Sequence, residues 1–419
     1  MSAMIAGNPS STEIKLRRAK AAAPRLAQLS SLQKNAILLV MADAILNRTE
    51  EVLAANRIDL ESSNLSPALR DRLLLNEDRI QAMVAGVHAV ANLPDPVYEM
   101  LSETTRPNGL RIRKVRVPLG VIGVVYESRP NVTVDTTALA LKTGNATVLR
   151  GGKEALHSNQ KLVEILIGVA GLPDGAIEIL DASTRQSTEE LIQARGLVDV
   201  LIPRGGAALI SYVAENATVP VIQTGAGNCH IFVDESADHA MADEIVVNAK
   251  TQRPSVCNAA EKLLVHRNIA LQYIPHIVKK LMAAGVEVRG DEETRRLSQN
   301  VNVVPAQEQD WHEEYSRLCM AVRVVGSLED AIAHINRYST QHSDAIVTSN
   351  EARARQFLRQ VDSAAVYWNA STRFSDGGEF GFGAEMGIST QKLHARGPFA
   401  LAELTSTKYE IIGTGQIRK

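Results

Sequence analysis

Residues 120–126 read Gly-Val-Ile-Gly-Val-Val-Tyr, an apolar run rich in β-branched side chains, and this run decides the fold. A short run with no polar face suits a strand buried on both sides, as inside a parallel sheet. The same texture recurs outward from it. Ala146–Arg150, Ile177–Leu180, Val198–Ile202, Val219–Gln223 and His230–Asp234 read as strands, with His157–Ala170 and Gln186–Ala194 as helices between them. A second alternating set follows: Lys262–His266, Val322–Val325, Asp344–Thr348 and Ala364–Trp368, with helices near Ala270–Met282 and Leu328–Asn336. Such alternation predicts doubly wound parallel sheets, here two open α/β domains joined near residue 230.

The flanks differ. Glu13–Leu29, Leu32–Leu46 and Arg70–Leu93 carry apolar residues at helical spacing, with Ser31 and Asn76 as candidate caps. Arg111-Ile-Arg-Lys-Val-Arg-Val117 mixes charge with β-branched residues, as a strand exposed on one side would; it suits pairing with another chain or a solvated edge. The glycine-rich tail beyond Asp376 reads as a third element, and no internal repeat is present.

Composition excludes several classes of function. At 419 residues the chain exceeds what one core usually holds. A formal net charge of -2 gives no reason to expect nucleic acid or an anionic membrane. No signal-peptide pattern opens the chain, and the early apolar run Asn35–Leu46 is interrupted by Asp43, short of the roughly 20 residues of a span. Three cysteines, Cys229, Cys257 and Cys319, without Cys-x-x-Cys spacing argue against a disulfide framework or zinc site. The cytosol is the expected compartment, and no metal is expected.

No strict Gly-x-Gly-x-x-Gly is present; Gly381-Phe-Gly383 has Met386 where the third glycine would stand. Instead, Val198–Ile202 runs into Pro203-Arg204-Gly205-Gly206 and a helix-like stretch, whose free N–H groups would suit a phosphate; a tight loop closure is the plainer alternative. Arg150-Gly-Gly-Lys153 ends a preceding strand similarly, where a ribose 2′-phosphate or solvent would meet it. Cys257 lies in Thr251-Gln-Arg-Pro-Ser-Val-Cys-Asn-Ala-Ala-Glu261, with Lys250 and Arg253 upstream. This polar setting leaves nucleophile and structural thiol both open, whereas Cys229 and Cys319 adjoin apolar runs and read as core. The stretch Asn369–Arg396 gathers five glycines with arginines, hydroxyls and carboxylates after a buried strand, the make-up of a ligand-binding loop.

Arg116–Asn131, Ser255-Val-Cys-Asn-Ala-Ala-Glu261 and the Gly377–Pro398 loop together resemble the glutamate-5-semialdehyde dehydrogenase (gamma-glutamyl phosphate reductase) family of the aldehyde dehydrogenase superfamily, over essentially the whole chain. The resemblance implies an aldehyde-dehydrogenase-like α/β fold with two Rossmann-like parallel-sheet domains plus a small oligomerisation element. The implied boundaries are 1–229 for the cofactor-binding domain, with 105–119 contributing an oligomerisation strand, 230–385 for the catalytic domain, and 386–419 for an active-site loop and oligomerisation tail. It implies NADPH-dependent reduction of L-glutamyl 5-phosphate to L-glutamate 5-semialdehyde, the second step of proline synthesis, in a homo-oligomer. Transient contact with the preceding kinase is a further expectation.

By the same resemblance Cys257 matches the nucleophile and Glu314 the glutamate that holds the nicotinamide ribose. Oxidising relatives carry a glutamate base in a Glu-Leu-Gly-Gly segment; the matching Gln223-Thr-Gly-Ala-Gly227 has an amide there. Losing that base suits an enzyme whose thioester must not meet water. The chemistry then asks for oxyanion donors, with Asn131 and the Cys257 amide as candidates. It also asks for anion holders (Arg129, Arg373, Lys392), hydroxyl donors (Ser389, Thr390) and an acceptor for the α-ammonium (Glu127 or Glu385). Arg150, Lys153, Arg204, Gly205 and Gly206 fall to the cofactor. A phosphate-independent semialdehyde dehydrogenase and a non-catalytic protein keeping the fold are the alternatives.

Overall fold

The computed structural model describes residues 9–63, 65–298 and 302–418. They form two compact units, one of residues up to 224 with 381–387 and 399 onward, the other of 225–380 with 388–398. The chain passes between them at Thr224–Gly225, slightly ahead of the expected 229/230 boundary. The tail is shared out between the units instead of standing as a third body.

The first unit opens on helices Ser11–Leu26, Ser31–Asn47 and Thr49–Ser62. The cap of the second is Ser30, one residue ahead of the expected Ser31. Gln33 stands three residues beyond Ser30, and the two close a capping box: the Ser30 hydroxyl accepts from the Gln33 amide while the Gln33 side chain accepts from the Ser30 amide. Asn76 caps as expected, accepting from the Arg79 N–H at 2.9 Å. That cap starts a new helix, so the single helix expected over Arg70–Leu93 is two, Pro67–Leu73 and Glu77–Asn92.

Strands β1 (Met100–Thr105), β2 (Arg111–Pro118), β3 (Val121–Tyr126), β4 (Ala146–Arg150), β5 (Ile177–Ile179) and β6 (Val200–Arg204) follow. The last four form a parallel sheet in the order β5-β4-β3-β6, with Val121 beside Ala146 and Ile122 beside Val200. All six residues of β3 are buried, as the opening run requires. Val219–Gln223 is not a strand; it touches the sheet through one bridge, Val221 to Leu201. β2 lies in the middle of a separate antiparallel sheet, between β1 and Thr405–Ile412. Both its edges are therefore taken within the chain, and its charges meet partners across the ladder. Arg111 and Arg113 each pair with Glu103, at 2.9 and 2.6 Å.

The second unit carries β7 (Cys229–Val233), β8 (Ala260–His266), β9 (Glu287–Gly290), β10 (Val304–Pro305), β11 (Cys319–Val325), β12 (Ser343–Val347) and β13 (Ala365–Trp368). They form one parallel sheet in the order β10-β9-β11-β8-β7-β12-β13. Side chains alternate across it. Ile231, Leu263 and Ala345 pack on one face with helices His239–Thr251 and Arg267–Ala283, and Phe232, Leu264 and Ile346 pack on the other with Leu328–Tyr338 and Glu351–Gln360. Among the described residues no helix is long and apolar enough to cross a membrane.

Asn145 ties the returning tail to the first unit. Its side chain accepts from the Gly120 N–H at 2.8 Å and donates to the Leu404 carbonyl at 2.9 Å, all in a buried setting. Asn145→Ala would leave those backbone groups unpaired, at a cost of about 1–3 kcal/mol each before relaxation. A lowered thermal midpoint is expected; an unchanged one would show that the tail is held by other contacts.

Candidate active site

Cys257 lies in the loop before β8, half-buried, while Cys229 and Cys319 are buried. Its backbone is clamped from the start of β7. A Cβ at Gly227 would stand 1.4 Å from the Cys257 carbonyl oxygen, so no other residue fits there. The Cys229 thiol donates to that same oxygen at 3.2 Å. Burial pushes the Cys229 thiol well above its ordinary range, so it remains a protonated donor. Cys229 does pack as core, but the hydrogen bond to Cys257 has no signature in its apolar sequence context.

Asn258 fastens the other side of the loop. Its amide donates to the carbonyls of Ser375 and Arg373 at 2.9 and 3.3 Å, its own carbonyl accepts from the Thr372 hydroxyl at 2.7 Å, and its side-chain oxygen accepts from Arg373. The Arg373 guanidinium also donates to Gln252 at 2.7 Å. Burial, reinforced by Arg253, pulls its pKa down, while Asp376 and the Cys257 sulfur act in the opposite sense. Arg373 thus sits within electrostatic reach of Cys257, the environment that favours a thiolate.

Glu314 lies on the opposite side, in the turn before β11. Burial raises its carboxyl, and the nearby Gly227 N–H with Lys250 and Lys262 offsets part of the rise. Gly227 therefore packs its Cα against Cys257 and also faces Glu314 electrostatically. The turn rests on buried charge. Lys262 donates to the Glu313 carbonyl at 2.7 Å and lies 4.5 Å from the Tyr315 ring centre, and Glu261 accepts from the Ser316 N–H at 3.3 Å. Lys250 and Glu261 pair at 2.8 Å with neither side chain exposed. Burial raises Glu261 to about 7 and lowers Lys262 to about 8. The supporting role of these residues went unread in the sequence, where each merely adjoins a candidate.

All of these groups precede strands: Gly227 before β7, Cys257 before β8, Glu314 before β11. Ser389 and Thr390 belong to the same unit. Ser389 is fully buried, its hydroxyl accepting from the Gln391 N–H at 3.4 Å, and Thr390 packs where a Cβ on Gly225 would reach it at 2.4 Å. Lys392 is bound to Asp362 at 2.5 Å, so its charge is engaged within the loop.

In the first unit the candidates line the carboxyl edge of β3, β4 and β6. Arg150 donates to the carbonyls of Gly151 and Thr184, at 2.8 Å each, which folds it into its own loop. Lys153 is exposed beside it. The helix amino terminus at Gly206 already holds an anion: Glu127 accepts from the Gly206 N–H at 2.8 Å. The carboxylate expected to meet an ammonium group thus occupies the place expected for a phosphate. Arg204 turns away from that terminus, and a Cβ on Gly387 would stand 2.8 Å from its guanidinium. Arg129 sits at the amino cap of helix Pro130–Lys142. The exposed Asn131 donates from its amide to Asp135 one turn on, at 2.9 Å. Glu385 lies two residues before Gly387, half-buried. No group of three or more metal-ligating side chains occurs among the described residues.

Gly227→Ala tests the clamp. The added methyl must displace the Cys257 carbonyl, so turnover and the rate of Cys257 alkylation by iodoacetamide are both expected to change sharply while circular dichroism stays native. Wild-type alkylation and turnover in this variant would refute the clamp.

The chain matches the aldehyde dehydrogenase family model over residues 2–299. It is 67% identical over 407 residues to the gamma-glutamyl phosphate reductase of Koribacter versatilis (strain Ellin345), covering 97% of this chain and 100% of that one. It is 56% identical over 413 residues to that of Moorella thermoacetica, covering 97% of this chain and 98% of the relative. The crystal structure of gamma-glutamyl phosphate reductase from Thermotoga maritima superposes with a TM-score of 0.95 at 48% identity, over 98% of this chain and 100% of that chain. On both sequence and fold, the chain belongs to the aldehyde dehydrogenase family, on its gamma-glutamyl phosphate reductase branch.

Proposed function

We propose that this enzyme reduces L-glutamyl 5-phosphate to L-glutamate 5-semialdehyde and phosphate through a thioester on Cys257, with NADPH as reductant. The observation that carries the chemistry is the half-buried Cys257 thiol, its backbone fixed by Gly227 and Cys229 and the Arg373 guanidinium close by. The sulfur attacks the γ-carbonyl, the C–O bond to phosphate breaks, and inorganic phosphate leaves with the electron pair. Phosphate is a good leaving group, so this step asks for orientation and charge stabilisation more than for an acid. The Cys257 amide and Asn131 are the candidate oxyanion donors, each typically worth on the order of a hundredfold in rate. In the structure one N–H of the exposed Asn131 amide is taken by Asp135, which leaves its second N–H for an oxyanion.

Enzymes of this family use nicotinamide cofactors. The first unit fits one in part: a parallel-sheet carboxyl edge, exposed Lys153, and a glycine pair opening the ten-residue helix Ala207–Asn216. Its first turn has free amides for phosphate beyond the one that Glu127 takes. Bound there, NADPH supplies the hydride that resolves the thioester. Glu314, in the turn before β11, is the acceptor for the nicotinamide ribose. Gln223, in the position of the oxidising enzymes' base, leaves water without an activator. The two outer strands of the sheet around β2 offer edges to a second copy, which is how we read the oligomerisation element.

The reverse reaction tests the whole reading: reduction of NADP by glutamate 5-semialdehyde should require inorganic phosphate. Turnover without phosphate would mean that water resolves the thioester, and the phosphate-independent alternative would stand. Cys257→Ala should abolish turnover while keeping cofactor binding; residual wild-type activity would remove the thioester.

Lys262→Met tests the base of the Glu314 turn. Glu314 already has a raised carboxyl, so it loses its charge at higher pH than an ordinary glutamate. Removing the Lys262 cation should raise it further, moving the acid limb of NADPH binding upward in pH. An unmoved limb would separate Lys262 from Glu314.

A further inference from the structure

Within the second unit the Cys257 loop is fastened at two adjacent residues, and the two fastenings meet in the interior. The Cys257 carbonyl accepts from the Cys229 thiol at 3.2 Å, and the Asn258 amide donates to the Ser375 carbonyl at 2.9 Å. From Cys229 the contacts run on to His342, whose Nδ1 lies 3.9 Å from the Cys229 sulfur and 2.8 Å from the Ser343 hydroxyl. The Ser343 hydroxyl is hydrogen-bonded to that of Ser375, the residue whose carbonyl holds Asn258. The path is therefore closed: it leaves the chain at Cys257 and returns at the next residue. Cys229, His342, Ser343 and Ser375 have no exposed surface, and Asn258 is buried with them. Tyr367 branches off, its hydroxyl 2.7 Å from that of Ser375. Burial, opposed in part by Asp344, lowers His342 to about 4, so its imidazole is neutral and has one N–H to place. His342 Nε2 has no hydrogen-bond partner among the described residues, and a proton there would be a stranded donor. At Nδ1 the same proton faces the Ser343 hydroxyl, which can pass its own on to Ser375.

A buried polar path holds one arrangement, because every broken bond strands a group away from water. We propose that Cys229, His342, Ser343 and Ser375 are the positioning residues of Cys257, a closed circuit that fixes the nucleophile's carbonyl and the residue after it together. This rests on the reading of Cys257 as the nucleophile. The circuit touches no substrate and supplies it no proton; its contribution is orientation, on which thioester formation depends. It also carries no charge of its own. The cation hangs on its outside: the Asn258 side-chain oxygen accepts from Arg373, two residues before Ser375, and the Thr372 hydroxyl donates to the Asn258 carbonyl at 2.7 Å. Holding Ser375 thus holds residues 372–375 against Asn258, and a slack circuit would loosen the sulfur and the guanidinium at once.

The test reads two quantities on the full-length enzyme. One is phosphate-dependent turnover of glutamate 5-semialdehyde with NADP; the other is the rate of iodoacetamide alkylation at Cys257 without substrate, followed by mass spectrometry. Ser343→Ala removes one oxygen and opens the circuit. It should lower kcat about ten- to a hundredfold, the scale of a displacement of up to roughly 1 Å, and leave the KM for NADP unchanged. The alkylation rate should change with it. Cys229→Ala opens the circuit from the other end and should do the same, while Cys229→Ser keeps a donor and should lie closer to wild type. His342→Asn places a polar atom near Nδ1 and should recover much of what His342→Gln, which reaches toward Nε2, loses. Tyr367→Phe removes a bond to the same Ser375 hydroxyl but leaves the circuit closed, and should keep the wild-type kcat. Unchanged kcat and alkylation in both Ser343→Ala and Cys229→Ala overturn the proposal. So do equal losses in Ser343→Ala and Tyr367→Phe, or in the two His342 variants, since general loosening of the core would then explain them. Turnover retained in Cys257→Ala removes the nucleophile reading and the circuit's role with it, whereas a failed circuit leaves Cys257→Ala inactive.

Discussion

The contact between the Gly227 backbone and the Cys257 carbonyl is the constraint on which the second unit's chemistry depends. It admits no side chain, and it fixes the loop before β8 against the loop before β7, its neighbour in the sheet. The Gly227 amide also lies near enough to Glu314 to hold down part of the rise that burial gives its carboxyl. A position fixed by backbone loses little entropy on binding, which suits a reaction that relies on orientation.

Beneath that backbone lies a concentration of buried charge. Lys250, Glu261 and Lys262 are withdrawn from water, an arrangement that well-packed apolar residues would often match or exceed in stability. The opposite shifts of Glu261 and Lys262 show that burial is opposed but not cancelled by their partners. What these residues add is place. Lys262 on the Glu313 carbonyl and Glu261 on the Ser316 amide bracket the residue between, and Ser316 is held at φ +51°, where a serine stays only if its neighbours fix it.

The sequence reading succeeded where burial and periodicity are the same fact. Gly120–Tyr126 is apolar because it is central, and β7, β8, β11 and β12 announce themselves likewise. It failed where the deciding contact is distant in sequence. β1 is short and wholly exposed, so no apolar pattern marks it. Val219–Gln223 is apolar for packing and makes one bridge only. In the site, the polar setting of Cys257 left nucleophile and structural thiol both open, and whether Arg204 faces a phosphate or Gly387 depends on the fold. So does the capture of the Gly206 amide by Glu127.

The position of Cys257 explains why its neighbourhood is so cationic. Loops before parallel strands follow the carboxyl ends of helices, where the partial charge is negative and disfavours a thiolate. The Cys257 loop follows helix His239–Thr251 and does not itself open a helix, so it lacks the activation that a helix amino terminus supplies elsewhere. The activating charge has to come from side chains. Arg373 and Arg253 lie on the exposed side of the loop, and the burial that weakens the Arg373 cation also strengthens its field at the sulfur. The arrangement at the first unit's rim is the inverse. There a helix amino terminus supplies positive potential, and a carboxylate, Glu127, satisfies it. Each unit thus offsets with side chains the sign that its own backbone imposes.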